Sequence, residues 1–234
     1  MRSFSTTSSQ QLLDALQQVD ISVPLRTEGR TTDHCETWSI CRFLSTFSES
    51  ELLGYPLQLT HRDRPDFLVE LASRRIGIEV TEVVPENKAA IDAYRENKEI
   101  DGPFFMQRHS PSESKLRGGK LRQEASSNTA GDGWAGDSVE REWVAAMQAF
   151  IGHKIAKAEK PDFGLFDQNW LLMYDNWSLP ALDEVKATAM LSQSLDSDSF
   201  GPFDRVFVES SNDIWVFVPG SFSGRVINDI WAGT

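Results

Sequence analysis

Residues 64–82 read RPDFLVELASRRIGIEVTE. Phe67, Val69 and Leu71 alternate with Asp66, Leu68 and Glu70, and Ile76, Ile78 and Val80 alternate with Gly77, Glu79 and Thr81. A period of two with β-branched enrichment predicts two strands, over about 65–71 and 76–84. Ala72, Ser73, Arg74 and Arg75 supply the polar turn, and Pro85 stops the second strand. Asp66 lies near the start of the first strand, and Glu79 follows thirteen positions later inside the second. A hairpin with a short turn closes that span and brings the two carboxylates together. Left alone they repel, and a divalent cation relieves the repulsion. Such a pair is a hard-oxygen site of the kind Mg²⁺ or Mn²⁺ takes. The plainer alternative is two solvated strand acids.

Upstream, residues 56–60 predict another strand, from which His61, Arg62, Asp63 and Arg64 lead into the hairpin. Arg62 and Arg64 are either phosphate contacts or solvated loop charges. A helix is expected over 33–47, with Trp38, Ile40, Cys41, Phe43, Leu44 and Phe47 on its apolar face. Asp33-x-x-Glu36 has the form of a capping box at its start. A short amphipathic helix over 9–19 and a loop or irregular strand over 21–32 come before it. Residues 1–32 are thus set apart from a main domain over 33–234.

Downstream, a helix is expected over 86–99. Residues 100–138 then turn polar and rich in Gly and Ser, the composition of a long flexible insertion. Within it, residues 107–124 hold five basic and two acidic side chains, a local charge of +3. Arg117, Lys120 and Arg122 flank Gly118-Gly119, a flexible pair. This stretch is either a mobile basic loop for an anionic substrate or a solvated loop. A helix over 138–160 follows, with Val139, Trp143, Ala146, Met147, Phe150 and Ile151 at helical spacing. Lys154, Lys157 and Lys160 crowd its last turns, where cations also complement the helix dipole. A buried strand over 170–174, a helix over 181–195, strands over 203–209 and 214–218, and a short terminal helix over 226–231 complete the reading.

The chain has 234 residues, enough for one large domain or one domain with insertions. Its 40% hydrophobic and 25% charged content is that of an ordinary soluble globular protein. No apolar run is long enough to span a membrane, and the first seven residues lack the apolar core of a secretory signal. Cys35 and Cys41 fall in one predicted helix about 9 Å apart along its axis, too far for a disulfide. Reduced thiols and a cytoplasmic location are expected. The net charge of −12 argues against simple nucleic-acid binding unless positive charge is locally concentrated. No internal repeat, Walker loop, nucleophile elbow or zinc spacing is present.

At Pro65-Asp66 and Glu79-Val80-Thr81 the chain resembles the PD-(D/E)-x-K nuclease superfamily. Only Pro65, Asp66 and Glu79 match residue by residue. The order of elements is close to that family's α-β-β-β-α-β core. The resemblance implies a restriction-endonuclease-like α/β fold, a mixed central sheet flanked by helices. It implies Asp66 and Glu79 as ligands for Mg²⁺ or Mn²⁺, and endonuclease hydrolysis of the phosphodiester bonds of DNA. Thr81 stands where the family has its Lys. Lys154 or Lys157, from the following helix, are the candidates to steady the water or the scissile phosphate. Glu36 is either an accessory acid facing the site or the helix-capping acid. Arg117, Lys120 and Arg122 are the expected substrate contacts. The alternative, favoured by the missing motif Lys and the acidic surface, is an inactive protein on this scaffold that binds a protein partner; a homodimer is also compatible. A third reading is a metal-dependent hydrolase with a small substrate in a Trp-lined pocket.

Overall fold

The computed structural model describes residues 3–100, 108–127 and 133–232. In chain order the elements are β1 (Ser3–Thr6), α1 (Ser9–Gln17), α2 (Thr32–Phe47), β2 (Leu57–His61), β3 (Phe67–Leu71), β4 (Arg75–Val83), α3 (Glu86–Asn97), α4 (Gly118–Ala125), α5 (Ser138–Ala158), β5 (Gln168–Asp175), α6 (Glu184–Ser194), β6 (Arg205–Ser210), β7 (Asp213–Val218) and β8 (Ser221–Val226). The strands form one open mixed sheet whose spatial order repeats the chain order. β1 to β4 are antiparallel, β4 to β6 parallel, and β6 to β8 antiparallel again. The two parallel joins need crossovers, which α3 to α5 and α6 supply.

The alternation in β4 decides what each face of the sheet holds. Ile76, Ile78 and Val80 join Leu12 and Leu16 of α1 and Ile40, Phe43, Leu44 and Phe47 of α2 in one core. On the other face, Trp143, Met147 and Ile151 of α5 and Ala187 and Leu191 of α6 cover Val83, Leu171, Met173, Val206 and Val208. β5 is therefore buried on both sides, which is why Trp170, Leu171, Leu172 and Met173 run without a polar break. Phe43 meets Trp170 and Phe207 edge-on, with ring centroids 6.0 and 4.8 Å away. Gly77 is needed inside β4: a Cβ there would stand 2.8 Å from both Phe166 and Pro65 side chains. Those two residues thus seat on the strand backbone and set where Asp66 enters.

The expected α/β class with a mixed sheet holds, and several local expectations change. The expected separate segment 1–32 is, over its described residues 3–32, tied into the sheet: β1 pairs with β2, and Leu12 and Leu16 are fully buried in the α1–α2 core. The cap of α2 is made by Thr31 and His34, not by Asp33 and Glu36. His34 Nδ1 accepts from the Thr31 N–H at 3.0 Å, so the box starts two residues earlier than the Asp-x-x-Glu spacing suggests. Part of the expected loop 100–138 is helix α4, docked on α3. The Leu116 N–H donates to Asn87 Oδ1 at 2.8 Å, and Arg95 donates to the Ala125 carbonyl at 2.7 Å. The stretches 101–107 and 128–132 of that insertion lie outside the described residues. The terminal helix expected over 226–231 is absent; the chain forms β8 at 221–226 and then a turn. No helix among the described residues is long and apolar enough to cross a membrane.

Candidate functional site

The β3–β4 ladder pairs Leu68 with Gly77 and Phe67 with Ile78. One step further sets Asp66 opposite Glu79. Asp66 stands just before β3, and its Oδ2 accepts the Val80 N–H at 2.7 Å. The carboxylate thus caps β4 where the backbone ladder stops. Both acids are buried, Glu79 completely.

Glu79 lies on the β4 face that α5 covers. Its Oε1 accepts from Lys154 Nζ at 2.8 Å and from Lys157 Nζ at 2.6 Å. Lys154 also donates to the Val80 carbonyl at 2.7 Å. The two lysines are three apart on α5 and so share one side of the helix. Glu79 Oε2 has no hydrogen-bond partner. Hence one oxygen of this glutamate carries two ammonium groups and the other carries none.

Burial, followed by the charge of Glu79, pushes the Asp66 carboxyl up to about 7. The Val80 N–H and Lys154 pull it back, while Glu36 adds to the rise. Burial works against a charged Lys157, but the hydrogen bond and charge of Glu79, with help from Asp66, outweigh it and raise that ammonium overall. The two acids and two lysines form one electrostatic unit.

Two clefts border this unit at Lys154 and Lys157; Glu79 itself lines neither. One, of about 310 Å³, is lined by Cys35, Glu36, Asp66, Thr81, Lys154 and Lys157 among others. The second, of about 520 Å³, is lined by Thr81, Phe150, His153, Lys154, Ala156, Lys157 and Lys160. Thr81 and the lysine pair line both, so they stand between an acidic cleft and a basic one.

Glu36 is not a helix cap. Its Oε2 is 2.9 Å from His61 Nε2, and with Asp33 these residues place ligand atoms within 4.8 Å of one another. His61 was not foreseen in this role. The available signal was its place at the end of β2, on the loop leading to Asp66; its ring stacks on Phe67 at 4.6 Å. Arg64 pairs with Asp162, and the Arg62 guanidinium lies 5.1 Å from the Phe166 ring centre.

Arg117, Lys120 and Arg122 are not brought to the acids. They line neither cleft. Gly118 and Gly119 form the first turn of α4 rather than a flexible link, and Lys115 pairs with Glu86 at 2.9 Å. The cations that reach the site come from α5.

The donor set suits a hard divalent ion. Asp66 and Glu79 offer carboxylate oxygens, and Glu79 Oε2 is a buried acceptor with no protein donor. Two carboxylates supply only part of an octahedral shell, the usual pattern for Mg²⁺, which keeps several waters. The chain matches no protein-family model, no curated protein and no solved structure.

Proposed function

We propose that the protein is a metal-dependent endonuclease that hydrolyses phosphodiester bonds of DNA, on a restriction-endonuclease-like variant of the mixed α/β sheet. One observation carries this reading: Asp66, Glu79 and the amines of Lys154 and Lys157 meet at the end of the β3–β4 ladder. The lysines reach Glu79 from α5, beside the position where Thr81 replaces the motif Lys. Asp66 and Glu79 would hold Mg²⁺ or Mn²⁺, which when bound supplies Lewis-acid charge and lowers the pKa of water.

The chain's own groups do the rest. Lys154 spends two of its three N–H donors on Glu79 and Val80, which fixes the amine and leaves one donor for a phosphate oxygen or water. Lys157 is the more exposed and is bonded only to Glu79, so it offers charge to a phosphate in the basic cleft. Lys160 and His153 extend that cleft along α5. A concentrated cationic groove answers the objection raised by a net charge of −12. Glu36 and His61 stand on the other side as accessory groups.

The test is nicking of supercoiled plasmid in Mg²⁺ or Mn²⁺. The parent protein is expected to nick, with Asp66→Ala and Glu79→Ala at background. Undiminished nicking by either variant sinks the assignment.

A second reading has its own observation. Lys154 and Lys157 already neutralise Glu79 from within the chain, so the acid pair is stable without a metal ion. On that reading the protein is an inactive member of the scaffold that acts by binding a protein partner. Calorimetry separates the two: no heat with millimolar Mg²⁺ or Mn²⁺, together with a protein that co-purifies, favours the second.

A further inference from the structure

β8 is an outer strand of the open sheet, and all six of its residues are exposed. It pairs with β7 in unbroken register, so no bulge turns its free edge away. It also holds no Pro, Lys, Asp or Glu. Prolines, charges and bulges are what keep strand edges from joining, and this edge is nearly without them. Its one charged side chain, Arg225, lies beside α2, with the guanidinium 5.3 Å from the Phe47 ring centre.

The inner edge of β8 fixes where its outer backbone groups point. The Ile227 N–H, one residue past the strand, donates to the Asn212 carbonyl at 2.8 Å. In an antiparallel ladder successive residues turn their N–H and C=O groups to opposite sides. Ser221, Ser223 and Arg225 therefore turn theirs to β7, while Phe222, Gly224 and Val226 turn theirs outward, where no strand lies among the described residues. The same three residues share a side-chain face. Phe222 stacks on Phe217 with ring centroids 5.9 Å apart, and the Trp215 ring covers Gly224. Phe222 is 37% exposed and Val226 76%, so two large apolar side chains stand in solvent four positions apart, about 14 Å along the strand.

We infer that β8 is a dimerisation strand, on which two copies of this chain join edge to edge into one continuous sheet. Turned about a two-fold axis at Gly224, normal to the sheet, β8 is its own complement. Phe222 comes opposite Val226 of the second copy, Gly224 opposite Gly224, and Val226 opposite Phe222. All three are hydrogen-bonded pairs, so about six backbone bonds form. Each exposed apolar side chain meets the other across the join, the kind of cross-strand pair that stabilises a sheet. Gly224 opposite Gly224 asks no space of the Trp215 ring that covers it. The contact is isologous, so both β8 edges are consumed. A net charge of −12 sets two copies against each other at long range, and β8, with one cation and no acid, is a strand where they can meet. A foreign extended segment would take the backbone bonds, but the two-fold match and the spacing of four are built into β8 itself.

The experiment is sedimentation velocity of the full chain from about 1 to 200 µM. One strand pair is a small interface of the weak class, so a monomer–dimer equilibrium with a Kd of about 1–100 µM is expected. Val226→Pro deletes an outward N–H and leaves the β7 ladder alone. It is expected to raise Kd about tenfold or more with no change in melting temperature. Should that variant fail to fold, Val226→Lys, which sets a charge opposite Phe222, carries the same expectation. The register has its own check. Opposed Cα atoms of a hydrogen-bonded pair are about 5.5 Å apart, within disulfide reach, so the double variant Phe222→Cys/Val226→Cys is expected to form a covalent dimer on mild oxidation and neither single variant is. A chain that stays monomeric at about 200 µM overturns the inference. So does a dimer that the folded Val226 variants leave intact, for its contact lies elsewhere, and so does equal cross-linking by a single Cys variant. A monomer from which the Val226 substitutions release a different, co-purified chain overturns it as well, since the edge then has another occupant.

Discussion

Glu79 in β4 and Glu209 in β6 are two buried glutamates with the same local problem and different answers. Each has Oε1 in an ion pair and Oε2 without a partner. Glu79 is met by two lysines, compact charges on flexible stems, and the Lys157 side chain is 39% exposed. Glu209 is met by Arg42, 8% exposed and held at the same time by Asp229 and the Trp38 ring. A lysine can swing into water and give up its acid to a competing cation. The arginine cannot leave without losing three partners. The first arrangement is exchangeable, as the proposed metal site requires, while the second fastens α2 to β6 and to the chain's last described segment.

The sharpest break of that comparison is Arg42→Leu. It leaves Glu209 buried with no counter-charge and is expected to cost about 3–5 kcal/mol. For a chain of this size the melting temperature falls by roughly 6–20 °C. A loss under about 1 kcal/mol would erase the distinction between the two glutamates.

Next comes Asp66→Asn in the metal-free protein. The folded carboxyl titrates at about 7 against an ordinary 3.8, so the native state keeps a proton that the unfolded chain releases. Stability therefore falls as pH rises across that window. Asn removes the effect while keeping an oxygen for the Val80 N–H. The variant is expected to match the parent near pH 4 and to exceed it by about 2 kcal/mol near pH 8, by urea melts at both pH values. An equal gain at both would show that no buried proton is involved.

The third concerns the exchange itself. If Mg²⁺ displaces lysine from Glu79, Lys157→Met should tighten Mg²⁺ several-fold, about 1 kcal/mol, while lowering plasmid nicking. Affinity in the parent should also climb as pH rises through about 7, because Asp66 must release its proton first. Weaker Mg²⁺ binding in Lys157→Met would mean that the lysine assists the ion rather than competing with it. The smallest effect is on folding: Lys157→Met should change stability by less than about 1 kcal/mol, since its ammonium is partly solvated.

The central hairpin was legible because both of its strands carry a buried face, and alternation reports burial. The outer strands were not. β1 reads SFST, and all six residues of β8, SFSGRV, are exposed. They are strands because a neighbour offers hydrogen bonds, and the pattern has nothing to report. Gly224 shows the same dependence, for a Cβ there would stand 2.7 Å from the Trp215 ring. Lys154 and Lys157 were legible as a pair through helical spacing, but their partner depends on the β4-to-β5 crossover. The place of Arg117, Lys120 and Arg122 could not be read, because charge density says nothing about location, and the Asn87 and Arg95 bonds that hold this segment on α3 are tertiary.

Because the spatial order of strands repeats the chain order, the protein can be assembled in the order it is synthesised. The β1–β4 meander can pair before α5 has been made, and Asp66 and Glu79 then lie side by side with no cation between them. Lys154 is 75 residues beyond Glu79, roughly 4–15 s of translation. When α5 docks it bridges β4 to β5 and relieves that repulsion, so the helix that carries Lys154 and Lys157 to Glu79 also latches the nascent chain.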